Sequence, residues 1–340
     1  TLTASNTVTN YETFTNDGTF TAVDLENKET STFDNTGTLT ATNTVTNAGT
    51  FTNKTAGTFT ATNTVTNSGT FTNETAGTLT ASNTVTNAGT FTNDGSFTAV
   101  DLENKETSTF DNTGTLTATN TVTNSGTFTN KTAGTLTATN TVTNSGTFTN
   151  DGTFTAVDVE NKETSTFDNT GTLTASNTVT NAGTFTNETA GTLTASNTVT
   201  NSGTFTNDGT FTAVDVENKE TSTFDNTGTL TASNTVTNSG TFTNETAGTL
   251  TATNTVTNYE TFTNDGTFTA VDLENKETST FDNTGTLTAT NTVTNAGTFT
   301  NETAGTLTAT NTVTNSGTFT NDGSFTAVDL ENKETSTFDN

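Results

Sequence analysis

Residues 38–57 read TLTATNTVTNAGTFTNKTAG, and close copies of this stretch, together with two related forms, account for the chain from Thr1 to Asn340. A repeat of about 20 residues is typical of a solenoid, in which successive turns of the chain stack on one another. The repeat therefore decides the fold.

The repeats have three lengths and are numbered here as coils 1 to 18 in chain order. Coils of 20 residues start at Thr38, Thr58, Thr115, Thr172, Thr229 and Thr286. Coils of 18 residues start at Thr1, Thr78, Thr135, Thr192, Thr249 and Thr306. Coils of 19 residues, TFTAVDLENKETSTFDNTG and its variants, start at Thr19, Ser96, Thr153, Thr210, Thr267 and Ser324. We expect residues 1–340 to form one repetitive segment of a longer chain or fibre.

Apolar residues alternate with threonine three times in each coil. Leu39, Val45 and Phe51 each stand between two threonines. Strict alternation is the period of a half-buried strand, with one side chain inward and its neighbours outward. Three short strands joined by corners make a triangular coil, and stacked coils bury a continuous core. The sequence predicts an all-β fold, a parallel β-solenoid of about 18 coils that forms a rod.

Composition excludes several classes of function. The chain has no Cys, no His and no Arg, and its net charge is −28. Without imidazole or thiolate groups, most acid–base, nucleophilic and zinc chemistry is unavailable. We predict that the chain is not an enzyme and has no catalytic, cofactor-binding or metal-binding residues. The negative charge repels phosphate and anionic lipid, so nucleic acid and membranes are poor partners.

Two residue columns are predicted inside the solenoid. The third strand of each coil carries a phenylalanine, as at Phe14, Phe33 and Phe51. An asparagine follows two residues later, as at Asn53. Residues of the same parity point to the same side of a strand. We expect stacked rings and a corner ladder of asparagine amides, with Asp-Gly or Thr-Ala-Gly supplying left-handed backbone at the corner.

Six of these asparagines match the Asn-x-Thr glycosylation pattern. They are Asn53, Asn73, Asn130, Asn187, Asn244 and Asn301. An amide buried in a ladder is closed to modification, so we interpret the six matches as incidental.

The 19-residue coils carry charge in their second strand. In coil 2 the spacing from Phe20 to Leu25 is five residues and that from Leu25 to Phe33 is eight, which predicts that this coil bulges relative to its neighbours. Asp24, Glu26, Lys28 and Glu29 form a charged cluster in it. No calcium-loop motif accompanies the cluster. We expect a solvated face with local Lys–Glu pairs rather than a metal site or a glycosidase carboxylate pair.

The string NSGTFTNDGTFTA at residues 144–156 resembles the repeats of filamentous-haemagglutinin-type adhesins exported by two-partner secretion. The resemblance implies a secreted, right-handed parallel β-helix used in attachment or as an extracellular fibre at the cell surface. Leu2, Val8 and Phe14 stand six residues apart, a spacing similar to that of left-handed β-helix proteins. The handedness therefore stays open, and the corner asparagines favour the right-handed form.

Two functions compete. The first is a structural or adhesive extracellular fibre or stalk, whose surface receptor the sequence does not identify. The second is ice binding, because outward Thr-x-Thr pairs, as at Thr38 and Thr40, resemble those of insect antifreeze proteins. Thr-x-Thr also occurs on the other two sides, where a β-branched polar residue simply suits a strand.

The two ends of the sequence indicate how the chain assembles. The chain opens on a strand at Thr1 and closes at a corner at Asn340. Unpaired strand edges are templates for another chain. We expect either a longer covalent rod or chains that pair end to end into an open filament, and the charge makes lateral association unfavourable.

Overall fold

The computed structural model describes every residue from Thr1 to Asn340 and consists of strands joined by turns and bends. The strands form three parallel sheets stacked as a β-solenoid of about 18 turns, which confirms the predicted fold class. The handedness stays a prediction. Contacts within the chain divide it into two compact units, Thr1–Thr174 and Ala175–Asn340.

In the first unit each coil gives one strand to each sheet. Sheet 1 contains Leu2–Thr3, Thr19–Ala22, Thr38–Ala41, Thr58–Ala61, Thr78–Ala81, Ser96–Ala99, Thr115–Ala118, Thr135–Ala138 and Thr153–Ala156. Sheet 2 contains Val8–Asn10, Leu25–Asn27, Val45–Asn47, Val65–Asn67, Val85–Asn87, Leu102–Asn104, Val122–Asn124, Thr141–Asn144 and Asp158–Asn161. Sheet 3 contains Thr13–Asn16, Thr32–Asn35, Thr50–Asn53, Thr70–Asn73, Thr90–Asn93, Thr109–Asn112, Thr127–Asn130, Thr147–Asn150 and Thr166–Asn169.

The second unit repeats the arrangement, and the strand Thr172–Ala175 spans the division between the units. Its sheet 1 strands are Thr192–Ala195, Thr210–Ala213, Thr229–Ala232, Thr249–Ala252, Thr267–Ala270, Thr286–Ala289, Thr306–Ala309 and Ser324–Thr326. Its sheet 2 strands are Val179–Asn181, Thr198–Asn201, Asp215–Asn218, Val236–Asn238, Thr255–Asn258, Asp272–Asn275, Val293–Asn295, Thr312–Asn315 and Asp329–Asn332. Its sheet 3 strands are Thr184–Asn187, Thr204–Asn207, Thr223–Asn226, Thr241–Asn244, Thr261–Asn264, Thr280–Asn283, Thr298–Asn301, Thr318–Asn321 and Thr337–Asp339.

Register keeps like residues in columns. In the first unit Leu39 pairs with Phe20 on one side and Phe59 on the other. In the second unit Val236 pairs with Val256, and Phe242 pairs with Phe262. A slip of one residue would turn every inward side chain to the outside, so the apolar pattern fixes this register.

The differences in coil length are absorbed at the corners. Leu25 pairs in register with Val8 and Val45, so the second strand of the 19-residue coil keeps the register of its neighbours. The extra length lies in the corner at residues 28–31, between the strands Leu25–Asn27 and Thr32–Asn35. The spacing of eight residues from Leu25 to Phe33 agrees with this position of the additional residues.

Thr-Ala-Gly corners supply left-handed backbone, as predicted, but at the alanine, and the prediction that Asp-Gly supplies it is wrong. No glycine has a positive φ, whereas Ala56 and Thr30 have φ of 65° and 64°. The glycines are instead needed where stacked corners touch. A Cβ on Gly69 would lie 2.1 Å from the carbonyl oxygen of Gly49 in the coil before it, a distance that real Cβ atoms do not reach.

Within a coil the core consists of one large apolar side chain from each of the three strands and one alanine from the sheet 1 strand. Leu39, Val45 and Phe51 are at most 1 % exposed, and Ala41 is fully buried. The predicted ring column is confirmed: the ring of Phe51 lies 4.9 Å from that of Phe33, centroid to centroid, with an angle of 3° between the planes. The alanine column was not predicted, although it has the inward parity of the residues before it.

Candidate functional surfaces

The asparagine ladder at the third corner is confirmed. Asn53 is fully buried, and its Nδ2 donates to Oδ1 of Asn73 in the next coil at 2.8 Å. The same nitrogen donates to the carbonyl oxygens of Thr78 at 3.0 Å and Gly57 at 3.1 Å. Each amide therefore ties its own corner to the coil that follows.

The six Asn-x-Thr matches all lie in this ladder. Their side chains are fully buried: Asn53, Asn73, Asn130, Asn187, Asn244 and Asn301. An oligosaccharide needs an exposed amide nitrogen, and here the amides are held inside the corner. The geometry supports the interpretation that the matches are incidental.

A second ladder runs along the corner after sheet 2, and the sequence analysis missed it. Asn47 is fully buried, and its Nδ2 donates to Oδ1 of Asn67 at 2.7 Å and to the carbonyl oxygen of Thr70 at 2.8 Å. The signal was present in the sequence, because an asparagine stands two residues after the second-strand Val or Leu, as at Asn27 and Asn47. The asparagine has the same parity as this apolar residue, so it points to the inside of the coil.

In the 19-residue coils a serine completes this second ladder. Ser31 is buried, and its hydroxyl donates to Oδ1 of Asn27 at 2.7 Å. In the 20-residue coils, Gly57 ends the corresponding four-residue segment after Asn53 at the third corner, where a Cβ would approach Asn53 Oδ1 to 2.7 Å. The motifs Lys-Glu-Thr-Ser and Lys-Thr-Ala-Gly thus make related corners with different final residues.

The charged clusters of the 19-residue coils contain the expected Lys–Glu pairs. Lys28 Nζ lies 2.7 Å from a carboxylate oxygen of Glu26, and the two side chains are 45 % and 40 % exposed. The hydrogen bond to Glu26 raises the pKa of Lys28. Exposed pairs of this kind contribute about 0–1 kcal/mol to stability, so they stabilise the fold only slightly.

Asp24 is half-buried and makes contacts that the rest of its cluster does not. One carboxylate oxygen accepts hydrogen bonds from the hydroxyl of Thr44 at 2.7 Å, the backbone N–H of Thr44 at 3.1 Å and Nδ2 of Asn43 at 2.8 Å. The Thr44 hydroxyl, followed by its backbone N–H, lowers the pKa of Asp24. The carboxylate therefore clamps coil 2 to coil 3, and Asp101, Asp215 and Asp272 make the same contacts.

At the third corner the charge pattern changes along the chain. Asp111 lies 3.0 Å from Lys131 Nζ in the next coil. Asp225 stands in the same sheet position of coil 12, but the residue that corresponds to Lys131 is Glu245. Burial raises the pKa of Asp225, and the charge of Asp208 adds to this effect, although a hydrogen bond from Thr243 lowers it.

Sheet 1 is the uncharged face. Its strands contain only Thr, Ser, Leu, Phe and Ala, and its outward threonines are in register, as Thr40 and Thr60 are. Charged residues interrupt the other two faces, where Glu26 pairs with Thr46 in sheet 2 and Asp34 with Thr52 in sheet 3. An uncharged Thr-x-Thr array, with Ser96 and Ser324 in place of a threonine, is therefore specific to sheet 1.

Neither metal chemistry nor known relatives define a site. No three Asp or Glu side chains are grouped so that they could hold a metal ion. The structure contains no helix that is long and apolar enough to span a membrane. Comparison of the sequence with protein-family models, with curated proteins and with solved structures finds no match.

Proposed function

We propose that this chain is a structural, adhesive segment of an extracellular fibre or stalk and has no catalytic role. The observation that carries the proposal is the completeness of the coil-to-coil bonding. No buried side-chain nitrogen or oxygen lacks a hydrogen-bond partner. Each coil in such a stack is stabilised mainly by its two neighbours, so a fibre can be lengthened by adding further coils of the same sequence.

End-to-end pairing of chains is part of the proposal. Any coil face offers another coil a full set of strand edges and ladder amides, and a contact between two different faces generates an open filament. Sedimentation of the 340-residue chain at increasing concentration, with electron micrographs of the same samples, tests the pairing. Axial filaments are expected. A chain that stays monomeric at every concentration would leave only a longer covalent fibre.

The extracellular location is supported by the resemblance of residues 144–156 to adhesin repeats. An antibody against the chain is expected to label intact cells of the source organism without permeabilisation. Labelling only after permeabilisation would contradict the location.

Ice binding is the second candidate, because sheet 1 presents uncharged threonines in every coil. We expect the chain to show thermal hysteresis. Thr60→Lys on sheet 1 should lower the hysteresis, whereas Thr72→Lys on sheet 3 should leave it unchanged. Thr60 and Thr72 belong to the same coil, so the two variants differ in the face that they change. Absence of thermal hysteresis in the unmodified chain removes this candidate.

A further inference from the structure

Charge is excluded from one face of the solenoid. Each 19-residue coil holds five charged residues and places none of them in its sheet 1 strand. In coil 2 the five are Asp24, Glu26, Lys28, Glu29 and Asp34. Because the net charge is −28, two copies of the chain repel each other wherever their faces carry acids. Sheet 1 is therefore the face on which a second copy meets the least repulsion.

The uncharged face is large enough for a stable contact. The first unit contributes nine strands to sheet 1, most of them four residues long. With about 4.8 Å between strands and about 3.3 Å per residue, this face covers roughly 570 Å². The second unit adds a face of similar size, so one chain offers about 1,100 Å², more than the ~800 Å² that each partner buries in a standard interface.

The outward side chains of sheet 1 repeat at every coil. Thr117 pairs in register with Thr98 on one side and Thr137 on the other. Rows of identical side chains on two facing sheets interdigitate into a dry contact, as in a steric zipper. A second copy has the same spacing between its coils, so its threonines fit between those of the first copy along the face.

Hydrogen bonding also suits a second copy. On the other faces threonine hydroxyls meet acids: Thr86 of sheet 2 donates to Glu103 at 3.5 Å, and Thr243 of sheet 3 donates to Asp225. The strands of sheet 1 contain no acid, so they offer no such acceptor to the hydroxyl of Thr117. A hydroxyl group both donates and accepts, so threonines of two copies satisfy each other without a charged group.

We propose that sheet 1 is a lateral interface through which the chain pairs with a second copy of itself. The acids nearest to this face lie at its rim, in the corner before sheet 1, as at Asp17 and Asp94. An uncharged centre with a polar rim is typical of protein interfaces. Contact between two identical faces closes on itself, so pairing stops at two copies. Acids of the other two faces, such as Glu26 and Asp34, oppose further lateral growth.

The test is the mass per unit length of the full chain, measured on unstained particles by scanning transmission electron microscopy. End-to-end growth lengthens a particle without changing this value, whereas lateral pairing doubles it. Thr117→Asp with Thr251→Asp places one carboxylate on sheet 1 of each unit. Thr129→Asp with Thr263→Asp is the matched control, because it makes the same change on sheet 3 of the same coils. All four threonines are half-buried in the single chain.

The unmodified chain alone already gives a result, whether or not the variants fold. One stack of coils has about 4 kDa per nm, because 35.1 kDa is divided among 18 coils that each rise about 4.8 Å. We expect twice this value for the unmodified chain and for the control, and the single value for the sheet 1 variant. Melting curves followed by circular dichroism check that both variants fold.

Three results would overturn the inference: the single value for the unmodified chain, the double value for the sheet 1 variant, or the single value for the control. If the unmodified chain has the single value and shows thermal hysteresis, sheet 1 faces ice and not a second copy. Particle length is recorded in the same images, so a failure of end-to-end growth contradicts the fibre proposal and not this one.

Discussion

Phe128 shows how much a single ring contributes to the stack. It is fully buried, and its ring lies 4.9 Å from that of Phe110 and 4.7 Å from that of Phe148, centroid to centroid. We predict that Phe128→Ala opens a ring-sized cavity and lowers the local free energy of unfolding by about 3–5 kcal/mol. Amide hydrogen exchange is the measurement, and faster exchange should stay close to coil 7 because solenoid coils stabilise mainly their neighbours.

Phe154→Leu is the control for this prediction. Phe154 is also fully buried, but it pairs with Leu136 in sheet 1, a column that accepts either residue. We expect a cost below about 1.5 kcal/mol, because the apolar contact is largely kept. A cost for Phe154→Leu as large as that of Phe128→Ala would contradict the view that the sheet 1 column accepts either residue.

Asp225 provides a prediction in which the sign depends on pH. Its pKa is raised, so the folded state holds the proton more tightly than the unfolded chain does. The charged form therefore destabilises the fold above the raised pKa, and this cost disappears as the pH falls below the usual value of 3.8. We predict that Asp225→Asn raises the local free energy of unfolding at pH 7 by less than ~1 kcal/mol and has no effect near pH 3.

The control variant is Asp111→Asn, which loses the ion pair with Lys131. It should lower stability at pH 7, opposite in sign to Asp225→Asn. The local free energy of unfolding of both variants is measured by amide hydrogen exchange in increasing urea, at pH 7 and at pH 3. Changes of the same sign in both variants would mean that the neighbouring charge does not decide the effect.

At the scale of the element, the ladders make each corner depend on the next. Asn130 Nδ2 donates to Asn150 Oδ1 at 2.8 Å, and its own Oδ1 accepts from Asn112. We predict that Asn130→Ala costs about 2–6 kcal/mol locally, because two buried neighbours each lose a partner. Asn140→Ala is the control: its exposed bond to Asn120 should leave stability within about 0.5 kcal/mol. Protection of the amides in coils 7 and 8 measures both, and unchanged protection in Asn130→Ala would rule out the ladder as a stabilising element.

Alternation and register could be predicted from the sequence, because the inward position of Leu39, Val45 and Phe51 follows from period two alone. The ladder at Asn53 followed from the same parity. The ladder at Asn47 could have been predicted in the same way, because Asn47 has the parity of Val45. The role of Gly69 could not be predicted, since it depends on the distance between stacked corners.

At the scale of the whole molecule, charge is distributed unevenly. The chain has 36 acidic residues and 8 lysines, and none of them lies in a strand of sheet 1. Repulsion among the acids should weaken as salt screens them. We predict a gradual rise of the melting temperature with ionic strength, in which NaCl and CaCl₂ differ only through ionic charge. A saturable Ca²⁺ effect with about one ion per 19-residue coil would contradict this prediction and indicate specific sites.

The buried asparagine ladders also give the chain a direction. Within each unit the Nδ2 of a ladder residue, such as Asn53 or Asn244, donates toward the following coil, while its Oδ1 accepts from the preceding one. The amide dipoles are aligned and polarise one another. One face of a coil therefore presents donors and the opposite face presents acceptors, so two like faces meet N–H against N–H. A filament built through these contacts has two chemically different tips, and a factor that blocks growth at one tip leaves the other free to grow.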